Sequence, residues 1–136
     1  MKNKVSISWH AQPDEKNYPA ALSYLTVLFE EGAAARYVAR LRRAGMAQFK
    51  AKDIFRASGL SLLGVSNRHV ERNREKIKLK TKLSPILLVR SKKSERVIVA
   101  DGYHRVCAVY FYDEDAIIPC KIVREGADLY GGVNVS

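Results

Sequence analysis

A four-residue apolar run that ends in Asp-Gly and continues as a helical apolar pattern constrains this chain most. Residues 97–100 predict a short buried strand, Asp101 and Gly102 interrupt it, and a helix is expected to open around His104 and Arg105. The first N–H groups of a helix have no partners within the helix, and the helix dipole favours negative charge there. Histidine and arginine at that place donate charge-assisted hydrogen bonds that suit phosphate. The pattern therefore predicts an anion site at residues 101–105.

Short apolar segments on both sides of this turn predict a small mixed sheet with helices packed on it. The segment 60–65 is read as a further short strand. The expected fold class is α/β (α+β), in a single domain of 136 residues whose core spans 60–124 and whose tail, 125–136, is loosely held. The other expected elements are strands at 85–90, 97–100 and 117–123, and a helix at 103–112.

The first 59 residues are expected to form a helical N-terminal extension. Asn17 is a candidate N-cap for a first helix, Gly32 is expected to end it, and a second helix follows over residues 33–44. Because the turn between them is very short, the two helices predict a helical hairpin.

Two further helices are expected before the first strand of the sheet hairpin. Residues 49–59 predict a short helix that ends at Gly59. Ser66 or Asn67 is expected to cap a longer helix over 68–80, whose apolar stripe is thin and whose other positions are mostly Lys and Arg.

The Asp-Gly-Tyr-His-Arg turn at 101–105, set between short strands, resembles the signature turn of the ParB/sulfiredoxin-like superfamily. The similarity extends over residues 60–124 through a Pro-apolar-Val strand at 84–90 and an Ile-Pro strand at 117–123. The Asp-Gly-x-His-Arg form is most similar to a free-serine kinase branch. The resemblance implies a small mixed sheet, and a nucleotide with Mg²⁺ bound at the turn. It leaves open whether such a domain is a kinase or NTPase, or a nucleotide-gated switch.

Each residue of the turn has an expected role. Gly102 is expected to take positive φ and to allow close approach of a ligand. His104 would donate to a phosphate oxygen, and Arg105 would bind either a ligand anion or the carboxylate of Asp101. Asp101 itself is either an N-cap that accepts the N–H of His104 or a metal-bridging or proton-accepting carboxylate. Tyr103 stands where sulfiredoxins carry their cysteine, and a phenol does not replace a thiolate, so sulfinic acid reduction is disfavoured.

Residues at the start of the 68–80 helix add candidates to the phosphate or nucleotide site. Arg68 and His69 occupy the place of an arginine-bearing segment in the ParB branch, without its Gln-Pro-Arg pattern, so CTP binding of the ParB kind is not expected. For phosphoryl transfer, Glu71 and Asp101 are the candidate catalytic carboxylates.

The charge of the chain is concentrated in its middle. Residues 36–96 carry 18 Lys and Arg and four acidic residues, which is a net charge of +14. The whole chain has a net charge of +10, because the segments on both sides are net acidic. Such a segment predicts a polyanion partner, and nucleic acid is the leading one, with nuclease activity as a further implication of the resemblance. The alternative is a solvated face. The candidate nucleic-acid contacts are Arg36, Arg40, Arg43, Lys50, Lys52, Arg56, Arg72, Lys76 and Lys78.

Several classes of function are disfavoured by what the sequence lacks. It contains no HExxH, CxxC pair, Walker A loop, Gly-x-Ser-x-Gly or GxGxxG motif, so no metal site is expected. No apolar run is long enough to span a bilayer and no signal peptide is seen, so no membrane partner and a cytoplasmic location are expected. Cys107 and Cys120 are expected to be buried and reduced.

Overall fold

The computed structural model describes residues 6–61 and 67–126, which form a four-stranded sheet with helices on both faces. The expected α/β class is confirmed. The elements of this part of the chain are α1 (Asn17–Leu28), α2 (Glu31–Arg43), β1 (Ala47–Lys50), α3 (Ala51–Ser58), α4 (Arg68–Lys78), β2 (Ile86–Arg90), β3 (Val97–Asp101), α5 (Tyr103–Tyr112) and β4 (Ile117–Arg124). None of these helices is long and apolar enough to cross a membrane.

The sheet is mixed, as expected, with the strand order β1-β4-β2-β3. β2 and β3 form an antiparallel hairpin, β4 runs parallel to β2, and β1 is antiparallel to β4. The helix expected over residues 49–59 is wrong in its first two residues, because Phe49 and Lys50 belong to β1, where Phe49 lies opposite Ile118. The N-terminal 59 residues therefore supply a strand of the sheet as well as helices.

Strand β2 separates two apolar clusters. Ile86 and Leu88 face the cluster formed with α3, α4 and α5, whereas Leu87 and Val89 face the cluster formed with α1 and α2. A strand that is covered on both faces needs apolar residues at successive positions rather than alternate ones. The continuous run from 86 to 89 meets that requirement, and all four side chains are buried.

The N-terminal helical hairpin is confirmed, but two of its boundary residues are not where they were expected. Gly32 lies inside α2, and α1 ends at Leu28. Asn17 is a buried residue of α1 and not its cap, because its Oδ1 accepts a hydrogen bond from the Ser84 hydroxyl. The side chain is therefore used to join α1 to the segment before β2.

Capping residues set the ends of α3 and α4. Gly59 ends α3 with a φ of 67°, as expected for a left-handed C-cap. Asn67 caps α4, and its Oδ1 accepts from the backbone N–H groups of His69 and Val70 at 2.9 and 3.2 Å. The strand expected over 60–65, together with Ser66, lies largely outside the described residues, since these leave out 62–66; Leu60 is described and is not part of a strand.

The end of β4 is attached to α2 by polar contacts. Lys121 is buried, and its Nζ donates to the Arg42 carbonyl in the last turn of α2 at 2.9 Å, where the helix dipole favours a cation. Gly126 donates its N–H to the Tyr37 hydroxyl at 2.8 Å and accepts from Arg40 Nη1 at 3.0 Å. The first two residues of the expected loose tail are thus held in place, and residues 127–136 lie outside the described part.

Candidate functional site

Gly102 joins β3 to α5 in a conformation that favours glycine. Its φ is 111°, so the expected positive φ is confirmed. A Cβ at this position would lie 2.4 Å from Ile86 Cγ2 and 2.8 Å from Arg105 Nη2. Ile86 therefore forms the floor of the turn. The sequence gives no signal for this contact, because Ile86 and Gly102 are far apart along the chain.

Asp101 is not the N-cap of α5. Gly102 occupies the cap position, and no side chain caps the helix there. The Asp101 carboxylate instead accepts a hydrogen bond from Arg105 Nη2 at 2.9 Å, with 17% and 16% of the two side chains exposed. Of the two partners expected for Arg105, the structure therefore provides the carboxylate. Because Asp101 is engaged with Arg105, its carboxylate does not cap the first N–H groups of α5.

The first turns of α4 and α5 meet at a pair of histidines. The ring centroids of His69 and His104 are 4.8 Å apart, with 40° between the ring planes. His69 is exposed and His104 is half-buried. Burial, followed by the charges of His69 and Arg105, lowers the pKa of His104 below its usual 6.5. The N-terminal ends of α4 and α5, where the helix dipoles are positive, and their two imidazole rings therefore lie close together.

Tyr103 and the cysteines have the apolar surroundings expected of structural residues. Burial and a hydrogen bond with Cys107 raise the pKa of Tyr103 to about 12, which keeps the phenol protonated. Cys107 and Cys120 are buried and not disulfide-bonded, as expected, and burial raises the pKa of Cys120 to about 12. Neither the Tyr103 phenol nor the Cys120 thiol is therefore an anionic nucleophile near neutral pH.

The other predicted site residues on α4 fall into two groups. Arg68 is exposed at the first position of α4, next to His69. Glu71 approaches Arg74, with 3.9 Å between Oε1 and Nη1. Residues two apart on a helix do not share a face, so Glu71 and His69 project to different sides. The described contacts thus bring His69 to the turn but do not bring Glu71 there.

Part of the predicted nucleic-acid surface is neutralised within the protein. Lys52 Nζ lies 2.8 Å and Lys50 Nζ 3.9 Å from Asp115 Oδ1, and Arg56 lies 3.7 Å from Asp53. The two lysine contacts were not expected from the sequence, because the lysines and Asp115 are far apart along the chain. The folded arrangement leaves less net charge on this side.

The α2 and α4 cations differ in their environment. Arg40 is half-buried, with its guanidinium 5.9 Å from the Tyr37 ring centroid and bonded to Gly126. It is therefore a packing residue in this fold. The remaining predicted cations lie on exposed positions of the two helices: Arg36, Arg43, Arg68, Arg72, Lys76 and Lys78.

Among the described residues, no group of three or more His, Cys, Asp or Glu side chains is placed to hold a metal ion. Comparisons of the chain with protein-family models, with curated proteins and with solved structures find no match.

Replacement of Gly102 by alanine tests the tight turn. We expect Gly102→Ala to reduce the free energy of unfolding by about 2 kcal/mol or more, because the new Cβ meets Ile86 and the positive φ disfavours an L side chain. Urea unfolding measures this. The control is Gly45→Ala, where a Cβ meets nothing within 4 Å, and it should change stability little. Equal effects of the two substitutions would contradict the described turn.

The pKa of His104 tests the histidine pair. We expect the His104 ring to titrate below pH 6.5 by NMR, and His69→Gln to move its pKa upwards by removing a like charge. Because the pKa of His104 is lower in the folded state, the folded protein binds fewer protons than the unfolded chain at acidic pH. The free energy of unfolding is therefore full above pH 6.5, and His104 decreases it as the pH falls through the folded-state pKa. His10→Gln is the control and should leave the His104 curve unchanged. A His104 pKa that does not change in His69→Gln would contradict the close approach of the two rings.

Proposed function

We propose that this chain is a ParB/sulfiredoxin-like domain that binds the phosphate of a nucleotide at the Asp101–Arg105 turn. The observation that carries the proposal is the approach of His69 and His104, which brings the first turns of two helices together. One helix N-terminus attracts an anion weakly, whereas two that converge with imidazole and guanidinium groups attract it more strongly.

The electrostatics of the turn favour an anion there. Burial, and after it the charges of His69 and Arg105, lowers the pKa of His104 in the free protein. A bound phosphate would compensate these charges and raise the pKa of His104. Binding of phosphate would thus be accompanied by proton uptake at His104.

Each residue of the turn has a part in this proposal. Gly102 lets the backbone approach the ligand without a Cβ, and Tyr103 and His104 present their N–H groups at the start of α5. Asp101 orients Arg105, whose remaining N–H groups would donate to phosphate oxygens. Arg68 would approach the ligand from the start of α4.

Phosphoryl transfer or NTPase activity is a further part of the proposal. Mg²⁺ would then accompany the nucleotide and neutralise its phosphates. Asp101 is the carboxylate of the turn, and it could act as a metal ligand or proton acceptor if its pair with Arg105 opened. Glu71 is the less favoured carboxylate because its side chain is directed toward Arg74.

Thermal melting against nucleotides tests the phosphate site. We expect one of ATP, CTP, GTP or ADP, with or without Mg²⁺, to raise Tm by several degrees, since a ligand at 100 times its Kd stabilises by about 2.7 kcal/mol. His104→Gln and Arg105→Lys should reduce the shift, because each removes or moves a donor to phosphate.

The control for this measurement is Lys78→Gln, an exposed cation at the far end of α4. Lys78→Gln should show the same nucleotide-induced increase in Tm as the wild type. The proposal is wrong if no nucleotide changes Tm, or if Lys78→Gln reduces the shift as much as His104→Gln does. Inorganic phosphate, measured in parallel, separates recognition of the phosphate from recognition of the nucleoside.

A second candidate function is nucleic-acid binding through the exposed face of α4. Arg68, Arg72 and Lys76 follow one another at intervals of four residues and are exposed, so they lie on one side of the helix. That spacing suits contacts with successive backbone phosphates, with little reading of base sequence. Among the predicted basic residues, this helix carries the longest exposed row.

The salt dependence of binding tests the second candidate. We expect the affinity for a duplex oligonucleotide to fall steeply with salt, and Arg72→Gln with Lys76→Gln to flatten the slope of log K against log salt by about 1 per residue. His104→Gln should leave that slope nearly unchanged, which distinguishes this surface from the nucleotide site. A slope that is insensitive to the α4 substitutions would exclude α4 as the contact.

A further inference from the structure

The outer edge of β3 has backbone groups that point away from the sheet. β3 is an edge strand and, among the described strands, pairs with β2 alone. The Ser91 N–H donates to the Arg96 carbonyl at 2.7 Å, which marks these two residues as a hydrogen-bonded pair. Such pairs alternate along an antiparallel ladder, so Val89 and Ile98 form the next one. The N–H and C=O groups of the alternate residues, Val97 and Val99, therefore face outwards.

An apolar groove of about 410 Å³ runs along this edge. α1 covers one face of the sheet beside β3 and α3 the other, so the groove lies between them. Tyr24 and Leu28 of α1 are 43% and 47% exposed, and Leu60 after α3 is 44% exposed. All three side chains line the groove together with β3.

Exposed apolar side chains beside an open strand edge are unusual. Proteins commonly protect such edges with charged side chains or a short strand, because an open apolar edge recruits other strands. The opposite edge of this sheet follows that rule, since β1 has four residues and exposes Gln48 and Lys50. At the β3 edge, in contrast, exposed apolar side chains of α1 and of the segment after α3 lie beside the strand, which indicates a surface that is covered by a partner.

The charge around the groove indicates which partner it suits. Lys93 and Arg96 are exposed and line the groove, and the half-buried Glu125 lines it as well, with its carboxylate accepting from the Lys92 N–H at 2.8 Å, so the lining side chains are net positive. The Arg96 guanidinium lies against the backbone at Gly59, where a Cβ would be 1.4 Å from its Nη1. A second copy of this chain would bring another net charge of +10 to the surface, so an acidic partner is favoured over self-association.

We propose that the β3 groove binds an extended peptide segment of alternating apolar and acidic residues, which adds to the sheet as a fifth strand. The outward backbone groups of Val97 and Val99 would pair with the peptide main chain. Its apolar side chains would contact Tyr24, Leu28 and Leu60, and an acidic side chain would pair with Arg96. This surface is separate from the nucleotide site and does not depend on it.

A displayed library of random octapeptides tests the proposal on the full chain. We expect enriched sequences to alternate apolar and acidic residues and to lack proline at central positions. Fluorescence anisotropy with the synthetic consensus peptide should then show at least tenfold weaker binding to Leu60→Glu and to Arg96→Glu. Lys78→Glu makes the same charge change as Arg96→Glu away from the groove and should bind within twofold of wild type.

Hydrogen exchange locates the bound peptide. The peptide should slow exchange of the Val97 and Val99 amides, whereas the Ile98 amide, which faces β2, is an internal control that should change little. Circular dichroism spectra show whether the variants are folded. If Leu60→Glu does not fold, Leu28→Ser replaces it as the groove variant. The proposal is overturned if no sequence is enriched, if the peptide leaves Val97 and Val99 unprotected, or if Lys78→Glu weakens binding as much as Arg96→Glu.

Discussion

Burial of β2 on both faces is the constraint on which the rest of the structure depends. Four consecutive apolar side chains can leave water only if helices cover both sides of the sheet, and the two clusters around Ile86 and Leu87 meet that requirement. The same strand positions the candidate site, because Ile86 lies beneath Gly102 and leaves no room for a side chain there. The turn that starts α5 is therefore fixed by the packing of the core.

The fold could be predicted from sequence where local signals are strong. The apolar runs of the sheet hairpin, the α5 pattern and the caps at Gly59 and Asn67 depend on nearby residues, and these predictions are confirmed. The errors arise where a residue that is distant in sequence determines the local structure. Phe49 is in a strand because β4 lies beside it, and Asn17 does not cap α1 because Ser84 engages its side chain.

The candidate site was predictable in its backbone and less so in its side chains. Positive φ at Gly102 follows from the Asp-Gly break, whereas the 4.8 Å between the His69 and His104 ring centroids has no signal in the sequence. The choice of Arg105 as the partner of Asp101 needed the folded geometry, since helix spacing permits the pair without requiring it. The neutralisation of Lys52 by Asp115 likewise depends on contact between distant segments.

The place of β1 in the sheet has a consequence for the order in which the chain folds. Within the described part, β1 pairs only with β4, and Ala47 lies opposite Cys120. During synthesis, β1 thus emerges long before the strand that completes its hydrogen bonds, and closing this long loop is entropically costly. The helical hairpin also packs on Val123 of β4. The N-terminal half is therefore expected to remain incompletely folded, with apolar surface exposed, until β4 has left the ribosome.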